Sequence, residues 1–79
     1  MDKHIGLGIK HFREKVGWSQ RQLAARAGVA HTTVASIERG DFEPSMSTLQ
    51  KLSDALKIPI SQFFLVVEYS QTTQNKKAL

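Results

Sequence analysis

The chain has no cysteine among its 79 residues, so neither a disulfide framework nor a thiolate metal site can supplement its core. No apolar run approaches the roughly 18 residues of a membrane span, and no basic start leads into an apolar signal segment. Internal repeats and linkers are absent, and the only two prolines, Pro44 and Pro59, fall where helical patterns stop. Nothing resembles a nucleophile, base and orienting group in series, so an enzyme is not expected. His4 and His11 lack a third ligand and are read as solvated rather than as a metal site. The Gly6-Leu7-Gly8 run has no preceding strand and no third glycine, so it is no phosphate cradle. No cofactor or metal is called for.

A chain of this length forms one domain and buries only about 60% of its unfolded surface on folding, so a partner subunit is the expected supplement. The net charge is +4 and uneven: residues 1–26 hold Lys3, Lys10, Arg13, Lys15, Arg21 and Arg26 against Asp2 and Glu14, while the remainder balances. A basic half favours a polyanionic partner.

The most specific segment runs from Trp18 to Gly40, WSQRQLAARAGVAHTTVASIERG. Ser19 and Gln22 make an S-x-x-Q capping box, with Trp18 and Leu23 at the positions of a hydrophobic staple. A helix is predicted from Gln20 to about Ala27, ended by Gly28, which adopts a left-handed conformation without penalty. A second helix follows from about His31 to Arg39. Along it Val34 and Ile37 point one way, and Thr32, Ala35, Ser36 and Arg39 point the other. Ala24 is small enough for a close helix crossing, and Val29 plugs the turn. This is the layout of a two-helix unit whose second helix enters the DNA major groove.

With these motifs in order, the chain resembles the lambda-repressor and Cro type of helix-turn-helix proteins, the XRE family, over roughly residues 5 to 64. SQRQLA, AGVAHTTVASIERG, PSMSTLQKLSDAL and IPISQFF carry the resemblance. It implies an all-α, compact five-helix lambda-repressor-like domain, a homodimer on an inverted-repeat operator in double-stranded DNA, and a cytoplasmic location in a bacterium or its phage.

Several site residues follow from the resemblance. His31, Thr32, Thr33 and Ser36 match positions from which the family reads bases, and Ala35 could meet a thymine methyl. Neutral His31 can both donate and accept, and protonated it adds an attraction to phosphate. Gln20 occupies the family's phosphate-contacting position at a helix start; Arg21, Ser47, Thr48 and outward-pointing Arg39 are further phosphate candidates. Arg13 and Glu38 match a structural ion pair between the first helix and the end of the recognition helix. Two departures stand out. Ala30 cannot cap the recognition helix, leaving Thr32 as an alternative cap. Asp41 and Glu43 occupy a loop where relatives often carry Lys or Arg, so either the loop lies farther from DNA or affinity per subunit is modest.

Elsewhere, Ile5, Ile9, Phe12 and Val16 form one stripe of a first helix; Gly6 and Gly8 each cost it about 0.8 to 1 kcal/mol relative to alanine, so its beginning either frays or is held only by tertiary contacts. Pro44 and Ser45 open a fourth helix that turns Leu49, Leu52 and Leu56 inward. A fifth, around Ile60 to Leu65, brings Phe63 or Phe64 into the core. LVVEYS suits a strand or a continued helix, with the extended reading slightly favoured. The DNA-binding domain is taken as residues 1–69, with 70–79 a loose polar tail. Phe63, Phe64, Val67 and Tyr69 exceed what one short helix needs for a core and are assigned to an isologous dimer surface. A transcriptional regulator is the leading reading, with RNA polymerase or another protein as an open second partner. An adaptor or antitoxin-like protein using the Phe63–Tyr69 segment is the competing one.

Overall fold

The computed structural model describes residues 4–65, and within them all regular structure is helical. Five helices follow one another: α1 (Ile5–Lys15), α2 (Gln20–Ala27), α3 (His31–Arg39), α4 (Met46–Leu56) and α5, described over residues 61–65. The domain is of the lambda-repressor-like all-α class. The expectation of an extended segment after Leu65 falls on residues outside the described ones.

The boundaries are set by local chemistry. Ser19 Oγ accepts from the Gln22 N–H at 3.1 Å while Gln22 Oε1 accepts from the Ser19 N–H at 2.7 Å, so the capping box opens α2. Gly28, at φ 73°, closes it. Ser45 Oγ accepts from the Thr48 N–H at 3.1 Å and opens α4. No side chain caps α3, whose N-cap is Ala30 with an extended backbone; Thr32 lies inside the helix and does not replace the missing cap.

Ile9, Leu23, Val34, Ile37, Leu52 and Phe63 form the centre of the core, each essentially without exposed surface. The helix-turn-helix pair rests on it from one side: α2 packs against α3 and α4, and α1 against α3. One expectation needs correction here. Val16 is 49% exposed: α1 ends at Lys15, so Val16 leaves the helical period, and the buried stripe passes through Arg13 instead. Of the two readings of the α1 glycines, tertiary support is the one the packing bears out. A Cβ on Gly8 would strike the backbone carbonyl of Phe63, and one on Gly6 the carbonyl of Ile37, so α5 and the end of α3 approach α1 where it has no side chains.

His4 also departs from the solvated reading. It is half-buried at the N-cap of α1, its ring lies against Gly40, and its buried Nδ1 has no hydrogen-bond partner. No helix among the described residues is long and apolar enough to cross a membrane.

Candidate nucleic-acid interface

The outward side of α3 follows from its inward side. Val34, Ile37 and Glu38 are buried, so at about 100° per residue Thr32, Ser36 and Arg39 line up on the opposite face. Thr32 and Arg39 are exposed and Ser36 half-buried. Ala35 lies between them, while His31 and Thr33 flank the stripe, all half-buried. The face therefore offers short hydroxyls along its middle, an imidazole at its start and a guanidinium at its end.

A network behind α3 fixes its orientation. Arg13 Nε donates to Glu38 Oε2 at 2.7 Å and Arg13 Nη2 donates to Glu38 Oε1 at 2.9 Å, a bidentate pair. Arg13 Nη1 donates to the Trp18 carbonyl at 2.7 Å, and Gln20 Nε2 donates to Glu38 Oε1 at 3.0 Å. One buried carboxylate thus ties α1, the start of α2 and the end of α3. The hydrogen bonding of Arg13 to Glu38 raises the Arg13 pKa above its ordinary value, outweighing the opposing effect of burial; the Glu38 and Glu14 charges act in the same raising direction.

Gln20, expected at a phosphate, spends one amide hydrogen on Glu38 and keeps the other. Its neighbour Arg21 is exposed. At the start of α4, Ser47 is exposed, whereas the Thr48 hydroxyl accepts from Ser45 Oγ at 3.1 Å within the cap. Arg39, also expected at a phosphate, lies along α3: Asp41 Oδ2 accepts from its Nε at 3.0 Å and forms an ion pair with its Nη2 at 2.9 Å, and Nη2 donates to Ser36 Oγ at 3.1 Å. The partnership of Asp41 with Arg39 was not visible in the sequence, because it depends on the chain reversal at Gly40.

The residues assigned to a dimer surface divide. Phe63 is fully buried and packs edge-on to Phe12, with ring centroids 6.2 Å apart. It is a core residue: its backbone lies against Gly8 and its ring against Phe12. Phe64 and Leu65 are 51% and 50% exposed. Val67 and Tyr69 lie outside the described residues.

Away from α3, an open cleft of about 520 Å³ is lined by Val16, Trp18, Arg26 and residues 54–57. In it the Arg26 guanidinium lies 4.4 Å from the centroid of the Trp18 ring. Among the described residues no group of three His, Asp or Glu side chains could hold a metal ion.

The family model described as Helix-turn-helix matches residues 9–63. The chain belongs to the XRE-type helix-turn-helix family, a family of DNA-binding transcriptional regulators. It is 36% identical to the HTH-type transcriptional regulator SutR of Escherichia coli over 61 residues, which is 77% of this chain and 34% of SutR. The chain thus spans about a third of that relative's length. Among solved structures, the N-terminal DNA binding domain of SinR from Bacillus subtilis is 38% identical, with a TM-score of 0.72 over 76% of this chain and 88% of that one. The restriction-modification controller protein C.AhdI from Aeromonas hydrophila is 30% identical, with a TM-score of 0.73 over 75% of this chain and 89% of that one.

Proposed function

We propose that this family member is a sequence-specific regulator that binds as a homodimer to an inverted-repeat operator, with α3 in the major groove. The observation that carries the reading is the division of α3. Its inner face is locked by Val34, Ile37 and the Arg13–Glu38 pair, and its outer face presents Thr32, Ser36 and Arg39 together. A recognition helix needs this combination, since base contacts carry information only when backbone register is fixed.

In this reading His31, Thr32, Thr33 and Ser36 meet base edges. Gln20, through its free amide hydrogen, meets a phosphate on one side of the groove together with Arg21, and Ser47 and Thr48 grip the other. Phe64, with Val67 and Tyr69, supplies the isologous surface, so that two α3 helices reach successive half-sites. Residues 1–69 act as the DNA-binding unit, 70–79 as a polar tail, and the protein works in the cytoplasm. No cofactor or catalytic step is assigned, and RNA polymerase is the natural further partner of a bound regulator.

Selection of genomic and phage DNA fragments by the purified protein tests this, at low and near-physiological salt. An inverted repeat that persists at the higher salt supports the reading. Fragments without common sequence that are lost as salt rises refute it. They would favour the adaptor reading, which rests on the exposed Phe64 and Leu65.

A further inference from the structure

Two acids in the loop after α3 are unexpected beside a surface that would gain affinity from cations, and one of them has a defined partner. The left-handed Gly40, at φ 83°, reverses the chain so that the Asp41 N–H donates to the Ser36 carbonyl at 3.0 Å. This places the Asp41 carboxylate over the last turn of α3. There Oδ2 accepts from Arg39 Nε at 3.0 Å and forms an ion pair with Nη2 at 2.9 Å, while Nη2 donates to Ser36 Oγ at 3.1 Å. Both charged side chains are more than half exposed, and such a surface pair adds little to folding stability. Its effect falls on what the exposed face can bind.

A free arginine at the end of a recognition helix would swing to the nearest phosphate, an attraction that is the same on every sequence. Held by Asp41, Arg39 donates from Nε to the carboxylate and from Nη2 to Ser36 Oγ, and the two hydrogens on Nη1 have no partner among the described residues. Because Ser36 Oγ accepts from Arg39, its own hydroxyl hydrogen is left to donate. The pair Ser36–Arg39 is therefore rich in donors, the two hydrogens on Nη1 and the Ser36 hydroxyl hydrogen standing against one remaining lone pair on Ser36 Oγ. In the major groove guanine presents two adjacent acceptors, N7 and O6, whereas adenine sets an amino donor beside its N7.

We propose that Asp41 is a positioning residue for base reading: it withholds Arg39 from the phosphate backbone and braces it on Ser36, so that the two together select guanine. This rests on the DNA-reading role proposed above. Discrimination is a difference between affinities, and a carboxylate that lowers binding to all sequences while ordering donors for one base widens that difference.

The test uses the full chain and two DNA probes, the duplex recovered by selection from a randomised pool and a scrambled duplex of equal length. The position read by Ser36 is the one whose preference Ser36→Ala abolishes, and a guanine is expected there. Asp41→Ala, with an unchanged thermal melt, should bind the scrambled duplex more tightly. Its plot of log affinity against log salt should steepen by about 0.9 per subunit, one additional phosphate contact. Preference for the guanine should fall roughly fivefold, the low end of what one ordered base contact provides. In an Arg39→Ala background Asp41→Ala should change neither quantity, because Asp41 acts through Arg39.

An unchanged slope and preference in Asp41→Ala, or the same change with Arg39 already removed, overturns the proposal while leaving sequence-specific binding intact. A different base at the Ser36 position also overturns it. A wild-type protein that recovers no common sequence at all sinks the DNA-reading role, and this inference with it.

Discussion

Glu38, on the last turn of α3, is gripped by both Nε and Nη2 of Arg13 on α1, and both side chains are almost wholly buried. The pair joins the helix that supports the fold to the helix assigned to DNA. Glu38→Ala leaves a buried guanidinium without its counter-charge, so unfolding free energy should drop by about 3 to 5 kcal/mol. For a domain of this size each kcal/mol corresponds to about 4–8 °C in Tm, so the loss is read directly in a thermal melt.

Arg13→Lys should also destabilise, by about 1 to 3 kcal/mol. A single ammonium cannot reproduce two parallel donors to Glu38 and a third to the Trp18 carbonyl, and a buried acceptor is left unsatisfied. The pH dependence has a definite sign. A cation whose folded pKa is raised contributes stability that is complete below its unfolded value and is lost only as pH climbs through the folded one. For arginine that window lies above about pH 12. Urea titrations at successive alkaline pH values should therefore show no loss attributable to this pair below that limit.

Gly8→Ala separates helix propensity from packing. Propensity alone predicts a gain of about 0.8 to 1 kcal/mol. The added methyl meets the Phe63 backbone, and relieving such overpacking costs about 1 to 3 kcal/mol. Chemical denaturation should show the variant to be less stable than the wild type; a more stable variant would contradict the close α1–α5 approach.

What could be read from the sequence, and what could not, follows the range of the interaction concerned. The ends of α2 were legible because Ser19, Gln22 and Gly28 act within one turn of the groups they satisfy, and α4 was legible from Ser45 in the same way. On the inward side of α3, Val34 and Ile37 followed from period alone, whereas Glu38 came only from the family resemblance. For Gly6 and Gly8 the sequence left fraying and tertiary support open, because what decides between them lies across the fold, in Ile37 and Phe63. Period also could not choose between Phe63 and Phe64, adjacent residues on a helix too short to define a face. Val16 failed because the period was carried one residue past the end of α1. The Asp41–Arg39 contact crosses a chain reversal that no helical periodicity describes.

Phe63 and Phe64 make the resulting contrast testable. Phe63→Ala should cost about 3 to 5 kcal/mol through loss of a fully buried ring. Phe64→Glu should leave the melt nearly unchanged, and if this residue lies in the dimer surface it should yield a monomer by analytical ultracentrifugation, with weakened binding to an inverted repeat. A variant that stays dimeric places the interface elsewhere.

The most direct test of the account compares the wild type with a Thr32→Ala, Ser36→Ala double variant in equilibrium competition between the selected duplex and a scrambled one, at near-physiological salt. Both changes lie on the outer face of α3, away from the core, so the folded state should be retained. The account predicts that preference for the selected duplex collapses while affinity for the scrambled duplex is nearly unchanged, since the phosphate contacts remain. Equal preference in the two proteins would contradict it, and would show that the outer face of α3 does not read the sequence.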